Sequence, residues 1–143
     1  MSIQQLSVFL ENKPGALGSF VKVLREYQVD MSSLSIAESM DFGIIRAIAD
    51  NPQMAADVLR DAGYIVQLTP VVAAEVTDKP GALIDILEAL SHAGINVDYT
   101  YAFLSRKKDA AYIVLRTDNV EKTEDALKRA GIQSLTQLEV DPQ

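Results

Sequence analysis

The stretch Glu11-Asn12-Lys13-Pro14-Gly15-Ala16-Leu17 returns sixty-six positions later as Thr77-Asp78-Lys79-Pro80-Gly81-Ala82-Leu83. The agreement runs on along the chain. Leu24 answers to Leu90, and Val29-Asp30 to Ile95-Asn96. After a two-residue insertion, Ala49-Asp50-Asn51 answers to Thr117-Asp118-Asn119, and Ala62-Gly63 to Ala130-Gly131. An ordered series of matches across the whole sequence points to a duplication, with one copy in residues 1–70 and the other in 71–143.

Local patterning gives each copy the same element order. Residues 3–11 alternate, with Leu6, Val8 and Leu10 on one face and Ser7, Phe9 and Glu11 on the other, which is the period of a strand. Pro14 suits the first turn of a helix, where its missing N–H costs nothing. Leu17, Phe20, Val21, Leu24 and Tyr27 then follow at helical spacing. Strands are expected at about 30–39 and 42–50. Asn51-Pro52 opens a second helix with Ala55, Val58, Leu59 and Ala62 inward, and Gly63 stops it. A fourth strand covers 64–69. The second copy repeats this with a strand at 71–77 and a helix with Leu83, Ile86, Leu87 and Leu90 inward. Strands at 96–105 and 110–117 come next, then a helix with Thr123, Ala126, Leu127 and Ala130 inward, and a last strand at about 134–140. The order βαββαβ in so short a span gives an α+β fold, an antiparallel sheet with both helices on one face. The fourth strand runs through Pro70 almost directly into the next first strand, so the copies are expected to lie close together.

Composition excludes several functions. Cysteine is absent, which removes disulfides, thiolate metal sites and cysteine nucleophiles and fits a reducing, cytoplasmic setting. Both halves share the net charge of −7, so nucleic acid and anionic membranes are poor partners. No apolar run reaches a membrane-spanning length, and the N-terminus lacks the features of a secretory signal. Arg106-Lys107-Lys108 reads as a charged hairpin tip. His92, the single histidine, has no partner cluster for catalysis or a metal. No nucleophile–base set or phosphate-cradling glycine loop is present, so a catalytic role and a cofactor are not expected. Tyr99, Tyr101 and Phe103 alternate along one face of a strand, and core packing is the default reading. On a face turned from the helices they would instead form an apolar dimer surface. Arg46 and Arg116 are placed on the uncovered face.

The repeated motif has a physical use. A helix start exposes N–H groups and the positive end of the helix dipole. Glycine after proline leaves the backbone open, so a carboxylate could approach the N–H groups of Gly15, Ala16 and Leu17. Asn12 or Asp78 would face the same place. Such a start accepts the carboxylate of a small zwitterion, although Asn-Lys-Pro-Gly is also simply a well-formed turn into a helix.

With these residues in view, the sequence resembles the ACT domain family, ferredoxin-like βαββαβ modules that bind amino acids and regulate metabolic enzymes. The resemblance rests on Asn12-Lys13-Pro14-Gly15-Ala16-Leu17 and Asp78-Lys79-Pro80-Gly81-Ala82-Leu83. Gly94-Ile95-Asn96-Val97, entering the second strand, adds to it. The first copy departs there, with Gln28-Val29-Asp30-Met31. The resemblance implies side-by-side pairing of the units through their second strands, in a continuous eight-stranded sheet. Ligands would lie at the seam, between the first loop of one unit and the second strand of its neighbour. Carried over, Asn12, Pro14, Gly15, Ala16 and Leu17 would face Asn96 and Val97. Asp78, Pro80, Gly81, Ala82 and Leu83 would face Asp30 and Met31. The Asn pair can donate and accept, whereas the Asp pair favours an ammonium or a cationic side chain, so the two sites would differ in affinity. The implied function is that of an amino-acid-binding homodimer acting in trans on a metabolic enzyme, or as a free sensor. A non-liganded assembly subunit is the alternative. Rival users of this fold leave traces absent here: a first-loop arginine for phosphate, strand aromatics on a basic surface for RNA, or Cys-x-x-Cys for metal.

Overall fold

The computed structural model describes residues 3–39, 41–77, 80–103 and 110–136. The chain divides into two compact units, one built on Gln4–Thr69 and the other beginning at Pro70.

In the first unit, β1 (Ile3–Glu11) leads into α1 (Ala16–Glu26). The hairpin β2 (Met31–Glu38) and β3 (Phe42–Ala49) follows, then α2 (Pro52–Asp61) and the first part of β4 (Ile65–Thr77). The sheet order is β2-β3-β1-β4. β3 lies antiparallel to both neighbours, with Leu6 opposite Ala47 and Glu11 opposite Phe42 on one side, and Ile36 opposite Ile45 on the other. Leu6, Val8 and Leu10 of β1 and Ile45, Ala47 and Ala49 of β3 form one core with Phe20, Leu24, Ala55, Ala56 and Leu59 of the helices. Both helices therefore cover the same face of the sheet. On the other face, Gln5 donates to Ser7 Oγ at 3.0 Å, and Ser7 Oγ meets Thr69 Oγ1 at 2.9 Å.

The second unit repeats the plan. The later part of β4 leads to α3 (Ala82–His92), β5 (Val97–Phe103), β6 (Ala110–Thr117), α4 (Val120–Arg129) and β7 (Ser134–Leu135). Its order is β7-β4-β6-β5, with Val72 opposite Leu115 and Ala73 opposite Leu135. Val72, Ala74, Ile86, Leu90, Ile95, Leu115 and Leu127 form the core. The expected hairpin tip at 106–108 and most of the last strand lie outside the described residues.

Four local expectations change. The two strands separated at Pro70 are one continuous strand, β4. Proline is tolerated in a strand where its missing N–H is not needed for pairing, and its carbonyl still accepts from Arg116 Nη1 at 3.0 Å. The helices start at Ala16 and Ala82, two residues after the prolines. Their inward stripes are narrower than the apolar spacing suggests. Phe20 and Leu24, or Ile86 and Leu90, point at the sheet, while Leu17, Val21, Leu83 and Leu87 sit on the flank and stay exposed. Tyr99 and Tyr101 lie on the face turned from the helices, opposite Arg116 and Val114. They stack with ring centroids 6.4 Å apart and are half-buried, so they are neither helix-facing core nor an open patch.

Two predictions test this account of the packing. Gln28 adopts φ 56°, the left-handed region, where the second unit has Gly94 at φ 72°. A side chain there costs about 1 kcal/mol, so Gln28→Gly is expected to stabilise the protein by roughly 0.5–1 kcal/mol in denaturant titration. Thr117 and Thr123 share a buried 2.6 Å hydrogen bond where the first unit has buried Ala49 and Ala55. Thr123→Ala alone leaves Thr117 with only its 3.3 Å bond to the Asn119 carbonyl and is expected to cost about 1–2 kcal/mol, and Thr117→Ala added to it should cost little more.

Candidate functional site

The repeated motif forms the connection from first strand to first helix in each unit. β1 ends at Glu11, and the Asn12 N–H donates to the Asp41 carbonyl at 2.9 Å, which ties the loop to the hairpin beside it. Lys13 pairs with Glu11 at 3.0 Å on the surface. Gly15 then occupies the position before the helix with φ 86°, and Gly81 does the same with φ 81°. Both values need glycine, because a Cβ there would meet the following carbonyl.

The four helix starts fall into two kinds. Asn51 caps α2 by accepting from the Met54 N–H at 3.2 Å, and Asn119 caps α4 by accepting from the Lys122 N–H at 2.9 Å. α1 and α3, started by the left-handed glycines, receive no side-chain cap. A helix start leaves several N–H groups without helical partners, and Asn satisfies some of them. The motif helices have no such side chain. The Ala16 N–H donates to the Lys13 carbonyl at 3.2 Å, which narrows the open part of α1 to the next residues, Leu17 and Gly18. Asn12, Pro14, Gly15 and Leu17 are exposed, and Ala16 is half-buried. In the second unit, Pro80, Gly81 and Leu83 are exposed and Ala82 is buried; Asp78 lies outside the described residues.

The remaining candidates sit elsewhere. Asp30 precedes β2; its N–H donates to Asp50 Oδ1 at 3.2 Å, and its carbonyl accepts from the Asp50 N–H at 3.0 Å. Met31 and Val97 pack against the cores of their units, so they can offer a ligand backbone rather than side chain. Asn96 is exposed, and its Nδ2 donates to Asp98 Oδ1 at 3.2 Å.

β1 and β2 run in the same direction on either side of β3. Within the first unit, then, the motif loop beside Phe42 and the β2 start beside Ala49 stand at opposite ends of the sheet. Seven residues of strand separate them, roughly 23 Å. The second unit shows the same separation, with Thr77 opposite Ala110 and Val97 opposite Thr117. Neither unit by itself brings its own loop to its own second strand. Among the described residues, β2 pairs with β3 and β5 with β6, each on one side, so the expected pairing of the second strands to each other is not among the ladders formed.

Each unit also carries a groove on the flank of its motif helix that sequence reading missed. In the first it is a cavity of about 430 Å³ bordered by Phe9, Lys13, Ala16, Ser19, Phe42 and Tyr64. In the second the equivalent cavity is about 660 Å³, bordered by Glu75, Ala82, Asp85, Glu88, His92 and Gln133. No sequence motif marks these grooves; they arise where the turns at Gly63 and Gly131 approach the helix. Among the described residues no group of His, Cys, Asp and Glu is placed to hold a metal, and no helix is long and apolar enough to cross a membrane.

Comparison with known proteins agrees with this architecture. A family model described as an ACT domain pair matches residues 1–140. The crystal structure of protein BT0572 from Bacteroides thetaiotaomicron is 36% identical, with a TM-score of 0.93, covering 100% of this chain and 98% of that one. The ligand-free regulatory subunit of aspartate kinase from Thermus thermophilus is 13% identical with a TM-score of 0.68, covering 90% of this chain and 93% of its own. The corresponding subunit from Thermus flavus is 14% identical with a TM-score of 0.57, covering 90% and 94%. These last two share the fold alone. A search of curated proteins finds no match. With a duplicated βαββαβ plan, a glycine-started helix in each copy and a family model spanning both, the chain belongs to the ACT domain pair family.

Proposed function

We propose that this protein binds a free amino acid and regulates amino-acid metabolism, acting in trans on an enzyme or as a sensor. The observation that carries the proposal is the contrast between helix starts. Asn caps α2 and α4, while α1 and α3 begin on left-handed glycines with no side-chain cap. A ligand carboxylate supplies what those starts lack: a negative charge at the positive end of the dipole and acceptors for N–H groups. The likeness to regulatory subunits of aspartate kinase supports an enzyme as the regulated partner. The absence of cysteine supports action in the cytoplasm.

The opposed positions of loop and second strand within each unit support a reading in which a neighbouring unit completes each site. The pairs implied by the family are Asn12 with Asn96 and Asp78 with Asp30, with Gly15–Leu17 and Gly81–Leu83 receiving the carboxylate. We further propose that the protein is a homodimer. Leu34 and Ile36, on the helix-facing side of the edge strand β2, stay exposed, as does Phe42. Apolar residues along a sheet edge are the kind that a second copy covers.

A thermal-shift screen of the protein against the twenty amino acids tests the proposal. A ligand at about a hundred times its dissociation constant adds roughly 2.7 kcal/mol of stability. One or a few amino acids are expected to raise the melting temperature, and Asn12→Ala is expected to reduce that response. No response to any of them would overturn the proposal and favour a non-liganded assembly subunit.

A further inference from the structure

The two second-strand entrances differ in which residue holds the carboxylate. The first reads Asp30-Met31-Ser32 and the second Asn96-Val97-Asp98. Both contain the same irregularity. The register steps from Met31 opposite Ala49 to Ser33 opposite Ile48, and from Val97 opposite Thr117 to Tyr99 opposite Arg116. Ser32 and Asp98 are therefore the extra residues of equivalent bulges. A bulge re-aims the side chain it adds, and bulges of this kind recur beside binding sites. Met31 and Val97 pack against the cores; of the residues beside them, Asp30, Asn96 and Asp98 are exposed and Ser32 is half-buried.

In the second unit the exposed pair is joined. The Asn96 amide donates to Asp98 Oδ1, and both residues are exposed. The bond takes one of the two Asn96 amide hydrogens and turns the amide nitrogen toward Asp98, the carbonyl oxygen away from it. Left for a ligand are that carbonyl oxygen and the second Asp98 oxygen as acceptors, with one amide hydrogen beside them. An isolated Asn carries no charge, whereas Asn96 joined to Asp98 shares its place with a carboxylate. The first unit has the same content in exchanged order, a carboxylate at Asp30 and a hydroxyl at Ser32. Each entrance thus carries one carboxylate and one neutral polar group, two residues apart.

We infer that Asp98 is the ammonium-recognising residue of the second unit's entrance, orienting Asn96 as an acceptor, so that both entrances are set for the ammonium of an α-amino acid. This rests on the amino-acid-binding reading above. It removes the difference in charge that comparing Asn96 with Asp30 alone implies.

The test uses Asp98→Asn, which can still accept from Asn96 through its own carbonyl and so keeps the brace while losing the charge. Calorimetry on the full chain compares the amino acid that binds wild type most tightly with its 2-hydroxy acid, which has the carboxylate but no ammonium. In Asp98→Asn the affinity for the amino acid at one class of site is expected to fall tenfold or more. The affinity for the hydroxy acid and the melting temperature without ligand should hold. The exchange Asp30→Asn with Ser32→Asp, which gives the first entrance the order of the second, should preserve amino-acid binding. Unchanged amino-acid affinity in Asp98→Asn, or an equal loss for both compounds, overturns the inference while leaving the binding proposal standing. Failure of wild type to bind any of the twenty amino acids overturns both.

Discussion

In each unit the helix that carries the chain from the end of the first strand to the start of the second decides the rest of the arrangement. It must return over one face of the sheet, so the first and second strands run in the same direction and the third fits between them, antiparallel to both. The helix start is thereby fixed at one end of the sheet and the second-strand entrance at the other. Within one unit the two stand roughly 23 Å apart. The same crossover buries Phe20 and Leu24, or Ile86 and Leu90, against the central strands. It leaves the outer second strand poorly covered, with Leu34 and Ile36 exposed beside Ile45. The crossover that separates loop from second-strand entrance also leaves the unit with an apolar edge.

The turn into that helix is where backbone conformation and function meet. A left-handed glycine lets the chain reverse directly from strand to helix, but it places no side chain where a cap would stand. At the other helix of each unit an Asn at the corresponding position satisfies the first turn. The duplication preserved this distinction through considerable divergence. Where the first unit has buried Ala49 and Ala55 the second has a hydrogen-bonded Thr pair, and Gln28 stands in a backbone conformation that Gly94 adopts at less cost. The glycines at 15 and 81 did not change.

Much of the fold was legible in the sequence because its signals are local and stated twice. Strand alternation in β1, Asn51-Pro52 at a helix start and the glycines that stop α2, α3 and α4 all act within a few residues. The prolines misled by two residues: Pro14 and Pro80 precede a left-handed glycine, and that glycine, not the proline, adjoins the helix. The pattern reads as two strands meeting almost directly at Pro70; they are one, and β4 passes through because the strand does not need that N–H. Which face the tyrosines at 99 and 101 occupy depends on ladder register, which no local pattern carries. The candidate site was legible only as its halves. Strand alternation does not single out Asp98, because a bulge interrupts it there, although Asn-x-Asp stands against Asp-x-Ser at the aligned positions. The grooves beside the helices come from tertiary approach and leave no mark in sequence.

The central claim is that the glycine-started helices, and not the Asn-capped ones, receive a ligand carboxylate. The most direct measurement is a titration followed by backbone amide chemical shifts, with each of the twenty amino acids added to labelled protein. The account predicts that for the binding amino acid the largest changes fall at residues 15–18 and 81–84, while the first turns of α2 and α4 barely move. Largest changes at Met54 and Lys122, or in the grooves bordered by Tyr64 and His92 with residues 15–18 and 81–84 unmoved, would contradict it.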